Sequence, residues 1–79
     1  MEIFDKLKPI LSELSGIENI CPEHHLLRDL ALDSIRMVAL LMKLEEKFNI
    51  VLDESDMNPF DLITVEHVIK LTEKYVGGK

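Results

Sequence analysis

This sequence predicts an all-α fold, a small bundle of three to four helices, and three observations carry that reading. The chain has 79 residues, about half the length of a common domain, so it has room for one core. Its apolar residues recur at helical spacing in three separate stretches. The one segment that could pass for a strand, Ile50-Val51-Leu52, has no partner strand and reads as packed loop.

The first helical stretch runs from Ile3 to Leu14, through Phe4, Leu7, Ile10 and Leu11. Gly16 stands where a C-terminal cap belongs. Pro9 either bends this helix or marks a late start, and a helix with a bend is the favoured reading. Residues 16 to 33 have no clean period. They read as a long loop pinned to the core by Ile17, Ile20, Leu27, Leu30 and Leu32. Loops of this length in small domains are functional or well packed.

The strongest helix opens at Asp33-Ser34 and runs to Phe48, with Asp33 as its N-cap. Stepping about 100° per residue from Ile35 places Met37, Leu40, Leu41, Leu44 and Phe48 on one arc, about 140° to 240°. Ile35, Val38 and Met42 fall outside it, at about 0°, 300° and 340°. The helix thus carries more apolar surface than one core face needs. Either it is packed on several sides, or these three residues form an exposed docking patch. Asn49 ends the helix. Asn58-Pro59 allows at most a short helix or turn near residues 59–62. Thr64 caps a last helix to about Tyr75, with Val65, Val68, Ile69 and Leu71 on its stripe. The expected core is Phe4, Leu7, Leu11, Leu14, Leu40, Leu41, Leu44, Phe48, Val65, Val68, Ile69 and Leu71. Residues 1–76 read as a single domain and residues 77–79 as a flexible tail.

Composition narrows the function. A net charge of −6 repels phosphate backbones and anionic lipid, which argues against nucleic acid and membrane surfaces as partners. Aromatic residues make up 5% of the chain, with no Trp, so platforms for stacking bases are few. The longest apolar run, Met37 to Met42, is far too short for a membrane span. The N-terminus carries acids where a signal peptide needs bases. Cys21, the only cysteine, excludes an intramolecular disulfide and fits a cytoplasmic setting.

Three candidate chemistries fall short of their requirements. The acidic stretch from Asp53 to Asp61 lacks the central glycine and the closing glutamate of a calcium loop, and reads as solvated loop. Cys21, His24 and His25 cluster, but zinc usually takes two spaced ligand pairs; the remaining histidine, His67, lies on the last helix and reads as a boundary residue. Ser34 has no room for the base and oxyanion hole that a catalytic serine needs, so no enzyme is expected.

Ser34 is informative for a different reason. It sits in the first turn of the strongest helix, where free N–H groups and the positive dipole end favour a phosphate ester. The residues alone say only that this serine is modifiable. Phosphorylation, a larger phosphodiester and a plain capping hydroxyl all fit.

The stretch from Leu30 to Phe48 contains Asp33-Ser34-Ile35 at a helix start and Leu44-Glu45-Glu46-Lys47-Phe48 at its end. With the total length, Leu7 to Gly16 and Thr64-Val65, it resembles the acyl carrier protein family over nearly the whole chain. That resemblance implies that Ser34 receives 4′-phosphopantetheine from coenzyme A through a phosphopantetheinyl transferase. The arm then carries acyl or aminoacyl thioesters between enzymes of lipid, polyketide or peptide biosynthesis. It implies a loading ligase and synthase or acyltransferase partners, and a recognition face on the second helix. The expected partner face is Ile35, Arg36, Val38, Ala39, Met42, Lys43 and Glu46. The chain departs from the family where Arg36 and Ala39 replace the usual acids. Residues 34–48 hold three cations against two carboxylates, and the segment from Phe48 to Thr64 is long. These departures point to a specialised carrier. A start at Met1 and an end soon after the last helix suggest a free-standing monomer. The alternative is an unmodified helical interaction domain of the same fold.

Overall fold

The structure is a computed structural model that describes residues 2–56 and 62–77. Three helices form it: α1 (Glu2–Ser15), α2 (Ser34–Phe48) and α3 (Val65–Val76), with a 3₁₀ turn at Glu54–Asp56. Among the described residues there is no strand, only an isolated antiparallel bridge between His25 and Thr64. The all-α expectation holds. The short helix or turn expected near 59–62 falls largely outside the described residues, as do Gly78 and Lys79 of the expected tail.

α1 runs unbroken through Pro9, which lies exposed on its solvent side. The ring removes a hydrogen bond to the Asp5 carbonyl, on an exposed turn where water can replace it. The inner face of α1 buries Leu7 and Leu11 completely, with Phe4 and Leu14 only partly covered. Gly16 stops the helix at φ +78° and donates its N–H to the Ser12 carbonyl at 2.8 Å.

α2 places Met37, Leu40, Leu41 and Leu44 in the core, the arc that its periodicity predicts. Phe48, expected in that core, is only half-buried at the edge of the bundle, with Lys6 Nζ 5.9 Å from its ring centroid. Asn49 takes the left-handed conformation, φ 54°, and closes the helix. Glu45 organises the exit. Its carbonyl accepts from Ile50 N–H at 3.1 Å and its carboxylate from Leu52 N–H at 2.9 Å, which drops Leu52 into the core. Val51, next to it, points outward and is exposed.

α3 packs on α1 and buries Val65, Val68, Ile69 and Leu71, as expected, with Thr72 in addition. The Thr72 hydroxyl donates to the Val68 carbonyl at 2.8 Å, which satisfies it inside the helix. The start of α3 is a capping box. Thr64 Oγ1 accepts from His67 N–H at 3.4 Å, and His67 Nδ1 accepts from Ile63 N–H at 3.0 Å and Thr64 N–H at 3.3 Å. His67, read from the sequence as a boundary residue, is thus the second half of the cap.

The loop between α1 and α2 is the largest departure from the expected core. Ile20, Leu26, Leu30 and Leu32 are buried, whereas Leu27, expected to pin the loop, is exposed. The reason lies in its hydrogen bonds to the start of α3. Leu26 N–H reaches the Ile63 carbonyl at 2.8 Å, and the Pro22 and His24 carbonyls accept from Glu66 and Val65 N–H, both at 3.0 Å. These bonds satisfy free donors of the α3 N-terminus and turn Leu26 inward. The loop therefore acts as a fourth layer of core without being a helix.

Candidate functional site

The site begins at the junction of the loop and α2. Leu30 and Leu32 are both buried, and Ala31 between them is exposed with φ 53°. A left-handed alanine costs roughly 1 kcal/mol or more, so the turn here is held by its flanking leucines. Leu32 N–H donates to the Leu26 carbonyl at 3.0 Å and closes the turn. The next residue, Asp33, is extended (φ −76°, ψ −179°) and caps α2.

Asp33 satisfies one of the four free donors of the helix start and accepts the first regular bond of the helix. Its Oδ1 accepts from Arg36 N–H at 2.9 Å and its carbonyl from Met37 N–H at 2.9 Å. The N–H groups of Ser34 and Ile35 precede these, at the positive end of a 15-residue helix. Ser34 is the first residue of that helix and is exposed. A hydroxyl there is open to an incoming enzyme, and an anion attached to it is favoured by the helix terminus.

Beyond Ser34 runs an apolar stripe. Ile35 is 78% exposed, Val38 46% and Met42 60%. Two readings of these residues were open, and the exposures favour an uncovered patch over burial on a second side. Ala39, Met42, Lys43 and Glu46 line a shallow hollow of about 270 Å³ along the same helix. The structure therefore brings Ser34, Ile35, Val38, Ala39, Met42 and Glu46 onto one continuous surface.

Arg36 and Lys43, on the same helix, each make a contact to α1. Arg36 Nη1 donates to the Leu14 carbonyl at 3.3 Å, and Lys43 Nζ lies 3.1 Å from Glu13 Oε1. Both are on α2 and both reach the end of α1. Nothing local in the sequence signals these contacts, because Arg36 and Leu14 are 22 residues apart.

The residues considered for metal binding have other duties. His24 Nδ1 accepts from Cys21 N–H at 3.0 Å, and His25 Nδ1 from Arg28 N–H at 3.2 Å. With His67, each histidine directs Nδ1 at a backbone donor and so fixes a turn. The acidic segment closes on itself: Asp53 Oδ1 accepts from the Ser55 N–H and hydroxyl, both at 2.9 Å. Those bonds hold the Asp53 carboxyl below the ordinary carboxylate value.

The sequence profile of the phosphopantetheine attachment site family matches residues 5–71. The acyl carrier protein of Thermotoga maritima is 35% identical over 78 residues, 96% of this chain and 94% of that protein. The acyl carrier protein of Desulforapulum autotrophicum is 39% identical over 77 residues, 94% of this chain and 97% of that protein. A crystal structure of an acyl carrier protein from Thermotoga maritima superposes with a TM-score of 0.79 at 23% identity. It covers 98% of this chain and 89% of that one, and bears on the fold.

Proposed function

Since the chain belongs to the phosphopantetheine attachment site family, whose members are carriers and not enzymes, we propose that Ser34 is its attachment point. The observation that carries the proposal is the placing of Ser34. It is an exposed hydroxyl at the first position of α2, immediately after a cap that leaves two N–H groups beside it. The covalent group is 4′-phosphopantetheine from coenzyme A. The Ser34 Oγ–phosphorus bond forms as the pyrophosphate bond of coenzyme A breaks, and 3′,5′-ADP leaves. When bound, the arm supplies a terminal thiol that holds acyl or aminoacyl groups as thioesters. Asp33 holds the helix start rigid, and the dipole end stabilises the phosphodiester.

Ile35, Val38 and Met42, flanked by Ala39 and Glu46, are the surface that a phosphopantetheinyl transferase, a loading ligase and synthase or acyltransferase enzymes meet. Their exposure and their continuity with Ser34 support this reading. The presence of three cations on α2 in a chain of net charge −6 supports a specialised role in lipid, polyketide or peptide synthesis. The carrier works as a cytoplasmic monomer, one domain over residues 1–76. Among the described residues no helix is long and apolar enough to cross a membrane.

The test is intact mass after incubation with coenzyme A and a broad-specificity phosphopantetheinyl transferase. The expected result is a single added phosphopantetheine. No mass gain would instead favour an unmodified interaction domain built on the same exposed patch.

A further inference from the structure

α1 ends without a basic residue in its last turn, so its free carbonyls, at the negative end of the helix dipole, lack a cation from their own helix. α2 supplies one. Arg36 reaches the Leu14 carbonyl at 3.3 Å, and seven residues further on Lys43 reaches Glu13 at 3.1 Å. Residues seven apart lie on the same side of a helix, two turns from each other. Two of the three cations of α2 therefore contact two adjacent residues of α1.

We infer that Arg36 and Lys43 are positioning residues: with the core face of Met37, Leu40, Leu41 and Leu44 already turned inward, they restrain the remaining rotation of α2 on the end of α1, and so tune where Ser34 and the stripe of Ile35, Val38 and Met42 face. The inference deepens the assignment of Ser34 and rests on it. One exposed ion pair contributes little to stability. Two contacts at separate heights on the helix still restrain its rotation about its own axis. An arriving enzyme meets the apolar stripe with Arg36 tied to α1, and with Lys43 held by Glu13 at the edge of the hollow that Ala39, Met42 and Glu46 also line.

A charge swap between Lys43 and Glu13 tests this. The reading is the rate of phosphopantetheine transfer from coenzyme A by a broad-specificity transferase. It is taken at low ionic strength, where exposed pairs are least screened, and well below the melting transition of every variant. Lys43→Glu alone sets two carboxylates against each other and should slow loading about two- to fivefold, the range an exposed pair commands. Glu13→Lys alone should do the same. The double swap restores the pair in reverse and should return the rate to within about twofold of the native chain. A double variant as slow as Lys43→Glu would show that the transferase meets Lys43 itself and would overturn the inference. Single variants that load at the native rate would overturn it too. If the native chain gains no mass, the Ser34 assignment fails and this inference with it, an outcome read before any variant is made.

Discussion

The Tyr75 hydroxyl donates to Asp56 Oδ2 at 2.6 Å and accepts from Asp53 N–H at 2.8 Å, tying the segment after α2 to the last turn of α3. Lys74 Nζ reaches the same Asp56 oxygen at 2.8 Å. Lys74 first, then Tyr75, hold the Asp56 carboxyl below its ordinary value of 3.8. The hydrogen bond to Asp56 in turn raises Lys74 above 10.5 and Tyr75 above 10.0.

These shifts predict a plateau with two edges. The contribution of Asp56 is present above its unfolded value of 3.8 and is lost as pH falls through its lower folded value. The contributions of Lys74 and Tyr75 are present below 10.5 and 10.0 and are lost as pH rises through their higher folded values. Tyr75→Phe should lower the melting temperature at neutral pH and weaken its fall at both extremes. Melting curves across the pH range check this, and an unchanged profile would show that the knot carries no stability.

The core has a clear centre. Leu44 is fully buried, whereas Phe48 is only partly buried, packed against the edge of the core. Leu44→Ala should cost about 2–5 kcal/mol in urea unfolding, a large part of what so small a domain has. Phe48→Ala should cost less than Leu44→Ala, since its ring packs at the edge of the core and its removal leaves a gap that water can reach. An equal loss at both positions would contradict this ordering.

Ala31 holds a positive φ of 53° in the turn before the cap. Glycine adopts that conformation without strain, against a loss of unfolded-state restriction. Ala31→Gly should therefore stabilise the chain by about 0.5–1 kcal/mol, read as a higher urea midpoint with unchanged slope. Ala31→Val, which adds a β-branch where φ is positive, should destabilise it.

How much of this the sequence carries depends on the range of each interaction. The core arc of α2 and the caps at Asp33, Asn49 and Thr64 follow from local spacing and are where the sequence places them. The exchange of Leu26 for Leu27 as the buried residue is invisible locally, because a hydrogen bond from Leu26 to Ile63 decides it. His67 looks like an interruption of a stripe until Thr64 is seen beside it. The exposure of Ser34 is legible from its place after the cap. The direction of Arg36 and Lys43 is not, because helical-wheel arithmetic gives an azimuth but not what a long side chain reaches on the neighbouring helix. Both are expected on the partner face, and each also makes a contact to α1.

The assignment of Ser34 is tested most directly by comparing the native chain with Ser34→Ala after treatment with coenzyme A and a broad-specificity phosphopantetheinyl transferase. Asp33 keeps the cap in both, so the helical circular dichroism and melting curve should coincide. The native chain should gain one phosphopantetheine, carried on the peptide that contains Asp33-Ser34, and Ser34→Ala should gain none. A mass gain that persists in a folded Ser34→Ala variant would contradict the account.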